Sequence, residues 1–365
     1  MLLIATIKHG KNINERNTRV ITKYHKNPIV KPSDVKPSLE GYQVKGAFNP
    51  GATVFNDEVL LLVRVTESCE PRQDYIRLPV YRFENGRSYP HILEFSKDAP
   101  GIKLKDTRGV VYKGKQYLST LSHIRIARSR DGFNFKVDAR PFIYPVDTTE
   151  EYGCEDARVV RIDGRYYINY TAISPDSWAT KLAVTDDFKT VKRLGFIFHP
   201  ENKDVVIFPE KVGGMYHALH RPNNSGFGRA AIWHAESPDL LHWGNHRCIV
   251  RPLETKWEAG KIGGGTPPIK TKEGWLIIAH GKGEDSRYSL FLVLLDLQEP
   301  WKVIRRATRP LLIPTEKYET EGFFANVVFS NGLVEKEGKL LVYYGSADEF
   351  SCVAVTDVES LLNSF

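Results

Sequence analysis

Ala127-Arg-Ser-Arg-Asp-Gly-Phe133, Ala183-Val-Thr-Asp-Asp-Phe188, Ala235-Glu-Ser-Pro-Asp-Leu240, Val293-Leu-Leu-Asp-Leu297 and Ala354-Val-Thr-Asp-Val358 are five copies of one short phrase. Their starts lie 56, 52, 58 and 61 residues apart, so one supersecondary unit recurs over most of the chain. Ahead of four copies stands a β-hairpin signal, an apolar and aromatic run broken at Asp163-Gly164, Gly213-Gly214, Glu273-Gly274 or Glu337-Gly338. The unit is therefore made of strands. A repeated antiparallel sheet of this length is too large for a solenoid rung and matches a propeller blade. The expected fold is all-β, a five-bladed β-propeller.

Working outward, residues 1–46 form a polar lead-in with strand-like pieces such as 19–22, an outer strand that helps close the ring. Blade one opens at Phe48-Asn49-Pro50-Gly51 and continues through residues 59–65. A further hairpin at 107–118, turning at Lys113-Gly114, raises the hairpin count to six against five phrases. The phrase has the more even spacing, so about residues 68–120 are read as an expansion of blade one, and 1–365 as a single domain. The one helix signal is at 357–363.

The composition, 41% hydrophobic and 11% aromatic, suits packed strands. A net charge of +7 could point to nucleic acid, but the lysines and arginines are scattered and form no basic run. No nucleic-acid partner is expected, and a small anion fits the charge better. Cys69, Cys154, Cys248 and Cys352 are far apart and without CxxC spacing, which reads as reduced, mostly buried thiols. The apolar run at residues 2–7 is too short for a signal-peptide core and no long apolar stretch follows. No membrane partner and a cytoplasmic location are the expectations. No metal constellation is visible. His217, Trp233 and Trp243 read as packing residues. Gly263-Gly264-Gly265 lacks the Gly-Lys-Ser/Thr ending of a nucleotide loop.

In a propeller the first strand of each blade lines the central channel, so residues opening those strands converge. Here they are polar: Asn49, Glu155-Asp156-Ala157-Arg158, Lys203-Asp204, Lys261 ahead of Gly263, and Asn326, with Arg64, His220-Arg221, His280 and Asp348 from second strands. A channel end crowded with ionisable groups points to a binding site, because burying them costs stability.

In these residues the chain resembles glycoside hydrolase family 130. The resemblance is carried by Asn49-Pro50-Gly51, Leu62-Val63-Arg64-Val65, Glu155-Asp156-Ala157-Arg158, Lys203-Asp204 with Phe208-Pro209-Glu210, His220-Arg221-Pro222, Lys261-Ile262-Gly263-Gly264-Gly265-Thr266-Pro267, His280-Gly281 and Tyr343-Tyr344-Gly345-Ser346-Ala347-Asp348. These run in family order from about residue 47 to the C-terminus. The resemblance implies a five-bladed propeller that splits β-1,2- or β-1,4-linked manno-oligosaccharides, or mannosyl-glucose, with inorganic phosphate. The anomeric centre inverts and α-mannose 1-phosphate is released. Phosphate is then a co-substrate and no cofactor is needed. By the same resemblance Asp156 is the general acid, acting through a hydroxyl of the bound mannose. Lys203, Lys261 and His280 hold phosphate, and Asn49, Arg64, Arg158 and Asp348 hold mannose. Several family members are oligomers, which makes a homo-oligomer the expectation.

Cleavage of a glycosidic bond needs an acid for the leaving oxygen and a nucleophile at the anomeric carbon. Phosphate is already an anionic nucleophile and needs cations, whereas hydrolysis needs a second carboxylate to activate water. One departure from the family is Ile173-Ser174, where some phosphorylases place an arginine; Ser174 can offer phosphate one uncharged hydrogen bond. An inverting β-mannosidase on the same fold, with Glu210, Glu236 or Glu258 as base, therefore stays open. So does a non-catalytic sugar-binding propeller. Trp178 and Arg221 are the acceptor-site candidates, Arg221 having an inter-blade ion pair as its equal alternative.

Overall fold

The computed structural model describes residues 20–106, 109–223 and 227–365. Arg19 of the expected closing strand, Thr107 of the extra hairpin and residues 224–226 lie outside these. The chain is all-β, and its main strands group into five antiparallel four-stranded units, the first two joined in one sheet by a parallel bridge between Ser122 and Gly153. Unit one comprises Tyr42–Phe55, Glu58–Cys69, Leu121–Ser129 and Lys136–Val137; unit two Gly153–Ile162, Arg165–Ile173, Trp178–Thr185 and Lys192–Phe198. Unit three comprises Asn202–Ile207, Tyr216–Pro222, Ile232–Ser237 and Gly244–Val250. Unit four has Lys261–Gly264, Trp275–Lys282, Tyr288–Leu295 and Val303–Arg306, with Ile269–Lys270 beside its second strand. Unit five takes Val328–Lys336, Lys339–Ser346 and Phe350–Thr356 from the end of the chain, and its fourth strand, Thr22–Lys23, from the beginning.

The recurrent phrase is the end of each third strand and the turn after it, and its aspartate explains why it recurs. Asp131 accepts from the N–H groups of Phe133 and Asn134 at 2.8 Å each. Asp187, Asp239 and Asp296 do the same for the residues two and three positions on, and Asp357 caps the helix Val358–Leu362 through the Ser360 N–H. A carboxylate is the compact acceptor that can satisfy two turn amides at once. The first-to-second strand turns follow their sequence signal too: Asp163-Gly164, Gly213-Gly214 and Glu337-Gly338 all have positive φ at both positions, the geometry of a two-residue hairpin turn.

Apolar residues gather between neighbouring units and not in one central mass. In Glu58–Cys69, Leu60 and Leu62 pack against Ile168 and Phe188 of unit two, while Leu61 and Val63 pack against Leu341 and Val353 of unit five. Leu276 and Ile278 likewise meet unit five, and Trp275 and Ile277 meet unit three. Units two and three share a cluster of their own around Val160, Leu182, Val205 and Ala218. Alternate side chains of a strand point to opposite faces. Both faces are buried here, so these strands read as continuous apolar runs such as residues 59–63 instead of alternating ones. The first strands also touch in series, unit one to two, two to three and three to four; the first strand of unit five lies against unit four on one side and unit one on the other.

Between the second and third strands of unit one the chain adds the hairpin Tyr75–Glu84/Arg87–Ser96 and the small sheet Ile102–Asp106, Gly109–Tyr112 and Lys115–Leu118. These pack on each other through Leu78, Phe95 and Val110. All four cysteines are free thiols, and no helix among the described residues is long and apolar enough to cross a membrane.

A second repeat escapes sequence reading. Glu150, Glu258 and Glu319 are fully buried in the segments that lead into units two, four and five, Glu150 and Glu319 in the short helices Thr148–Glu150 and Lys317–Thr320. Glu150 meets Lys181 at 3.1 Å, Arg193 at 3.2 Å and the Tyr170 hydroxyl at 2.6 Å. Glu258 is paired with Arg306. Glu319 takes hydrogen bonds from the Tyr344 hydroxyl at 2.8 Å and the Thr315 N–H at 2.7 Å, and an ion pair from Lys23 at 2.5 Å. Each glutamate ties its lead-in segment to the outer strands of the same unit. A buried carboxylate stripped of its cation is left without compensation. Lys23→Met is therefore expected to lower stability by about 3 kcal/mol, read as a shift of the urea midpoint at unchanged slope; an unchanged midpoint would show that the closing strand contributes nothing.

Candidate active site

In units one, two and three the first strand is interrupted at an equivalent point. The register slips between Phe48 and Gly51, between Glu155 and Arg158, and between Lys203 and Val206. Within these bulges Asn49, Asp156 and Asp204 have φ of 47°, 50° and 55°. Asn and Asp tolerate that left-handed backbone better than other residues bearing a Cβ. A bulge re-aims a side chain, and here it turns three polar ones toward a common centre. Asp348, just past the second strand of unit five, shares the conformation with φ 54°.

The centre is a cavity of about 130 Å³. One wall, from units one, two and five, holds Asn49, Arg64, Asp156 and Asp348. Asp156 Oδ1 accepts from Asn49 Nδ2 at 3.0 Å and from Arg64 Nη1 at 3.2 Å, while Arg64 Nη2 donates to Glu155 at 2.6 Å. Gly345 is required beneath Asn49, since a Cβ there would fall 2.0 Å from Asn49 Oδ1. The opposite wall, from units three and four, holds Lys203, Arg221, Lys261 and Tyr288 around Asp204. Arg221 pairs with Asp204 at 2.8 Å. Lys261 lies 5.5 Å above the Tyr288 ring. Among the described residues, neither Lys203 nor Lys261 forms an ion pair.

The charges perturb one another. Burial would push Asp156 up, but Arg64, Lys203 and the Asn49 amide hold it below the usual carboxylate range, while burial raises its neighbour Glu155 despite Arg64. Asp348 is pushed up to about 6 by burial, against the pull of Arg64 and with the charges of Asp156 and Glu155 adding to it. Burial, then Arg221 and Lys203, bring Lys261 down to about 7. Asp204 is buried yet stays well below its ordinary value because Arg221 and Arg158 surround it.

Of the residues singled out by sequence, the structure gathers Asn49, Arg64, Asp156, Lys203, Lys261, Arg221 and Asp348 around one cavity. Arg221 faces the cavity, and its ion pair is with Asp204 of its own unit and not with a neighbouring unit. Other expectations need correction. His280 is fully buried behind Asp204, 3.3 Å from it, and burial brings the ring down to about 4, so it is a neutral support and not a cation lining the cavity. Arg158 does not line the cavity either; its guanidinium donates to the carbonyls of Gly265 at 2.9 Å, Gly264 at 3.0 Å and Asp156 at 3.2 Å. Gly263 and Gly265 are needed for close packing in the same stretch, because a Cβ on Gly263 would fall 2.5 Å from the His280 ring and 2.6 Å from Asp204, and one on Gly265 2.4 Å from the Ile278 carbonyl. Ser174 spends its hydroxyl on the Ser177 carbonyl at 3.1 Å, within its own turn. Trp178 opens the third strand of unit two, opposite Ile173, and does not line the cavity. Glu210, Glu236 and Glu258 are ion-paired with Lys270, Arg247 and Arg306, away from the cavity. Sequence reading missed Tyr288, Phe324 and Phe329 as lining residues. Tyr288 opens a third strand, a place from which no site residue was expected.

Comparison with known proteins shows the family. The family profile described as beta-1,4-mannooligosaccharide phosphorylase, glycoside hydrolase family 130, matches residues 64–365. The chain is 44% identical over 333 residues to the beta-1,2-mannobiose phosphorylase of Listeria innocua, covering 90% of this chain and 93% of that one. It is 39% identical over 249 residues to a 1,2-beta-oligomannan phosphorylase of Thermoanaerobacter, covering 67% and 82%. The solved structure of the Listeria innocua phosphorylase with beta-1,2-mannobiose superposes with a TM-score of 0.87 at 42% identity, over 94% of this chain and 98% of that one.

Two amines and a guanidinium facing a small cavity make a receptor for a doubly charged oxyanion. Sulfate keeps its charge through neutral pH, so its binding reports on the protein alone. As pH rises from about 6 to about 8 and Lys261 loses its proton, sulfate affinity is expected to fall about tenfold. Lys261→Met should bind more weakly and keep only the shallow slope that Asp348 contributes. An unaltered slope in that variant, measured by calorimetry, would remove Lys261 from the anion site.

Proposed function

The chain belongs to glycoside hydrolase family 130, and on that footing we propose that it cleaves β-1,2-linked manno-oligosaccharides by inverting phosphorolysis, releasing α-mannose 1-phosphate. The observation that carries this reading is that two amines, Lys203 and Lys261, with no ion pair among the described residues, line one cavity together with Asp156. The preference for the β-1,2 linkage rests on three relatives whose names specify it.

In this reading Asn49, Arg64 and Asp348 seat the mannose that is transferred, and Lys203, Lys261 and Arg221 seat phosphate on the other face of its anomeric carbon. Phosphate oxygen bonds to that carbon as the bond to the leaving oxygen breaks, so the β-linkage yields an α-product. Asp156 supplies the leaving oxygen with a proton, passed through a mannose hydroxyl. Phosphate gives up one proton as its new bond forms, which restores the carboxyl and leaves no net proton consumed. Without ligand, Asp156 is held ionised by Arg64 and Lys203. A phosphate dianion beside Lys203 offsets that cation, raises the carboxyl and lets it take up the proton it must deliver.

We also read the five units as blades of one propeller domain. The five inter-unit apolar clusters and the serial contact of first strands support this. We place the reaction in the cytoplasm, where phosphate is abundant and a charged sugar product is retained.

Purified protein incubated with β-1,2- and β-1,4-mannobiose, with and without phosphate, is expected to form mannose 1-phosphate only from the β-1,2 substrate and only with phosphate. Free mannose released at the same rate without phosphate would make it a hydrolase. Asp156→Asn is expected to lower kcat by about 10²- to 10⁴-fold while retaining sulfate binding, a combination that separates proton transfer from a collapsed site.

A further inference from the structure

His217 and Glu236 stand directly opposite each other on neighbouring strands of unit three, and His234 lies two residues before Glu236 on the same face. Three side chains able to ligate a metal thus rise from one two-stranded ribbon, with ligand atoms within 4.8 Å of one another. None of them lines the Asp156 cavity.

The hydrogen bonds around the cluster fix what each atom can do. His217 Nε2 lies 3.0 Å from the Val212 carbonyl, which can only accept, so that nitrogen carries the proton and Nδ1 presents a lone pair. His217 Nδ1 is 2.9 Å from His234 Nε2. Glu236 Oε1 accepts from Arg247 at 2.7 Å and Oε2 from Asn245 at 2.8 Å, which fixes the carboxylate and leaves it further lone pairs. Both rings are buried, and burial brings His234 down to about 3 and His217 below its ordinary value. Neutral imidazoles are the form that ligates.

We propose that His217 Nδ1, His234 Nε2 and Glu236 form a binding site for a divalent cation of the zinc class. Two imidazoles and one carboxylate are a donor set that zinc favours over magnesium or calcium. When the cation takes His234 Nε2, the proton there moves to His234 Nδ1, which makes no hydrogen bond among the described residues; the ring stays neutral and no proton is lost. The Val212 carbonyl, Arg247 and Asn245 are the outer partners that orient the ligands. Trp301 of the third-to-fourth strand loop of unit four lies against both imidazoles, ring centroids 6.4 and 5.6 Å away, with Arg247 stacked on it at 4.4 Å. A cation here would brace unit three at its contact with unit four. Its role is structural and it acts on no reacting atom.

The test uses the full chain stripped with EDTA and titrated with Zn²⁺ by calorimetry, with Co²⁺ absorption as a second probe. One Zn²⁺ per chain is expected at this site, with a Tm that rises with the logarithm of free Zn²⁺. His234→Gln and Glu236→Gln should each abolish that binding and the Tm rise. Glu236 lies at a partly exposed edge, so its variant decides the matter should the His234 variant fail to fold. No saturable binding by the unmodified protein, or undiminished binding in Glu236→Gln, would overturn the site.

Discussion

Asp204 is a carboxylate with almost no solvent contact, and the centre of the molecule is organised around it. Arg158 of unit two approaches one oxygen at 3.6 Å; Arg221 of unit three and His280 of unit four lie at 2.8 and 3.3 Å from the other. Arg158 then reaches past it to the backbone of unit four. Apolar contacts between neighbouring units are non-directional and tolerate sliding, whereas these bonds have one geometry. Taking such charges out of water is costly unless every partner is in place, so three units are held in one register where the cavity is built. The same carboxylate holds Arg221 on the cavity wall while Lys203 and Lys261 form no ion pair among the described residues.

The cavity gains its chemistry from gathering carboxylates and cations that are only partly matched with one another. If every carboxylate were matched by a cation, the site would be stable and inert. Asp348 and Lys261 are both displaced toward neutrality by burial, so each changes charge near neutral pH. Asp156 resists the same burial because Arg64 and Lys203 oppose it. Its proton affinity thus depends on what else occupies the cavity, which suits a group that must hold a proton only when both reactants are present.

Much of this was legible in the sequence because it rests on local chemistry. The aspartate turns repeat since four of the five third strands end in a turn with the same two amides to satisfy, and the bulge residues are Asn or Asp since few others accept their backbone. The roles of His280 and Arg158 were misplaced for a different reason. Both are polar and near the site in sequence, but whether such a group faces the cavity or supports it from behind depends on strand register and on the thickness of one layer of side chains. Ser174 was lost to its own turn, a competition that composition does not reveal. The shared structural role of the buried glutamates before units two, four and five escaped notice because their cations come from distant strands, Lys23 lying 296 positions from Glu319.

That last pairing bears on how the protein is made. Units one to four are each built from a continuous stretch of chain and can form as they leave the ribosome. Unit five cannot: its outermost strand is synthesised first and must wait until Phe350–Thr356 emerges to pair with it. Until that pairing forms, the outer edge of unit five is a row of unpaired amides and carbonyls, the feature that invites pairing with another chain. The Lys23–Glu319 contact rewards the correct strand with a buried charge that a foreign strand would not supply. The contact therefore favours the native strand over another at that edge.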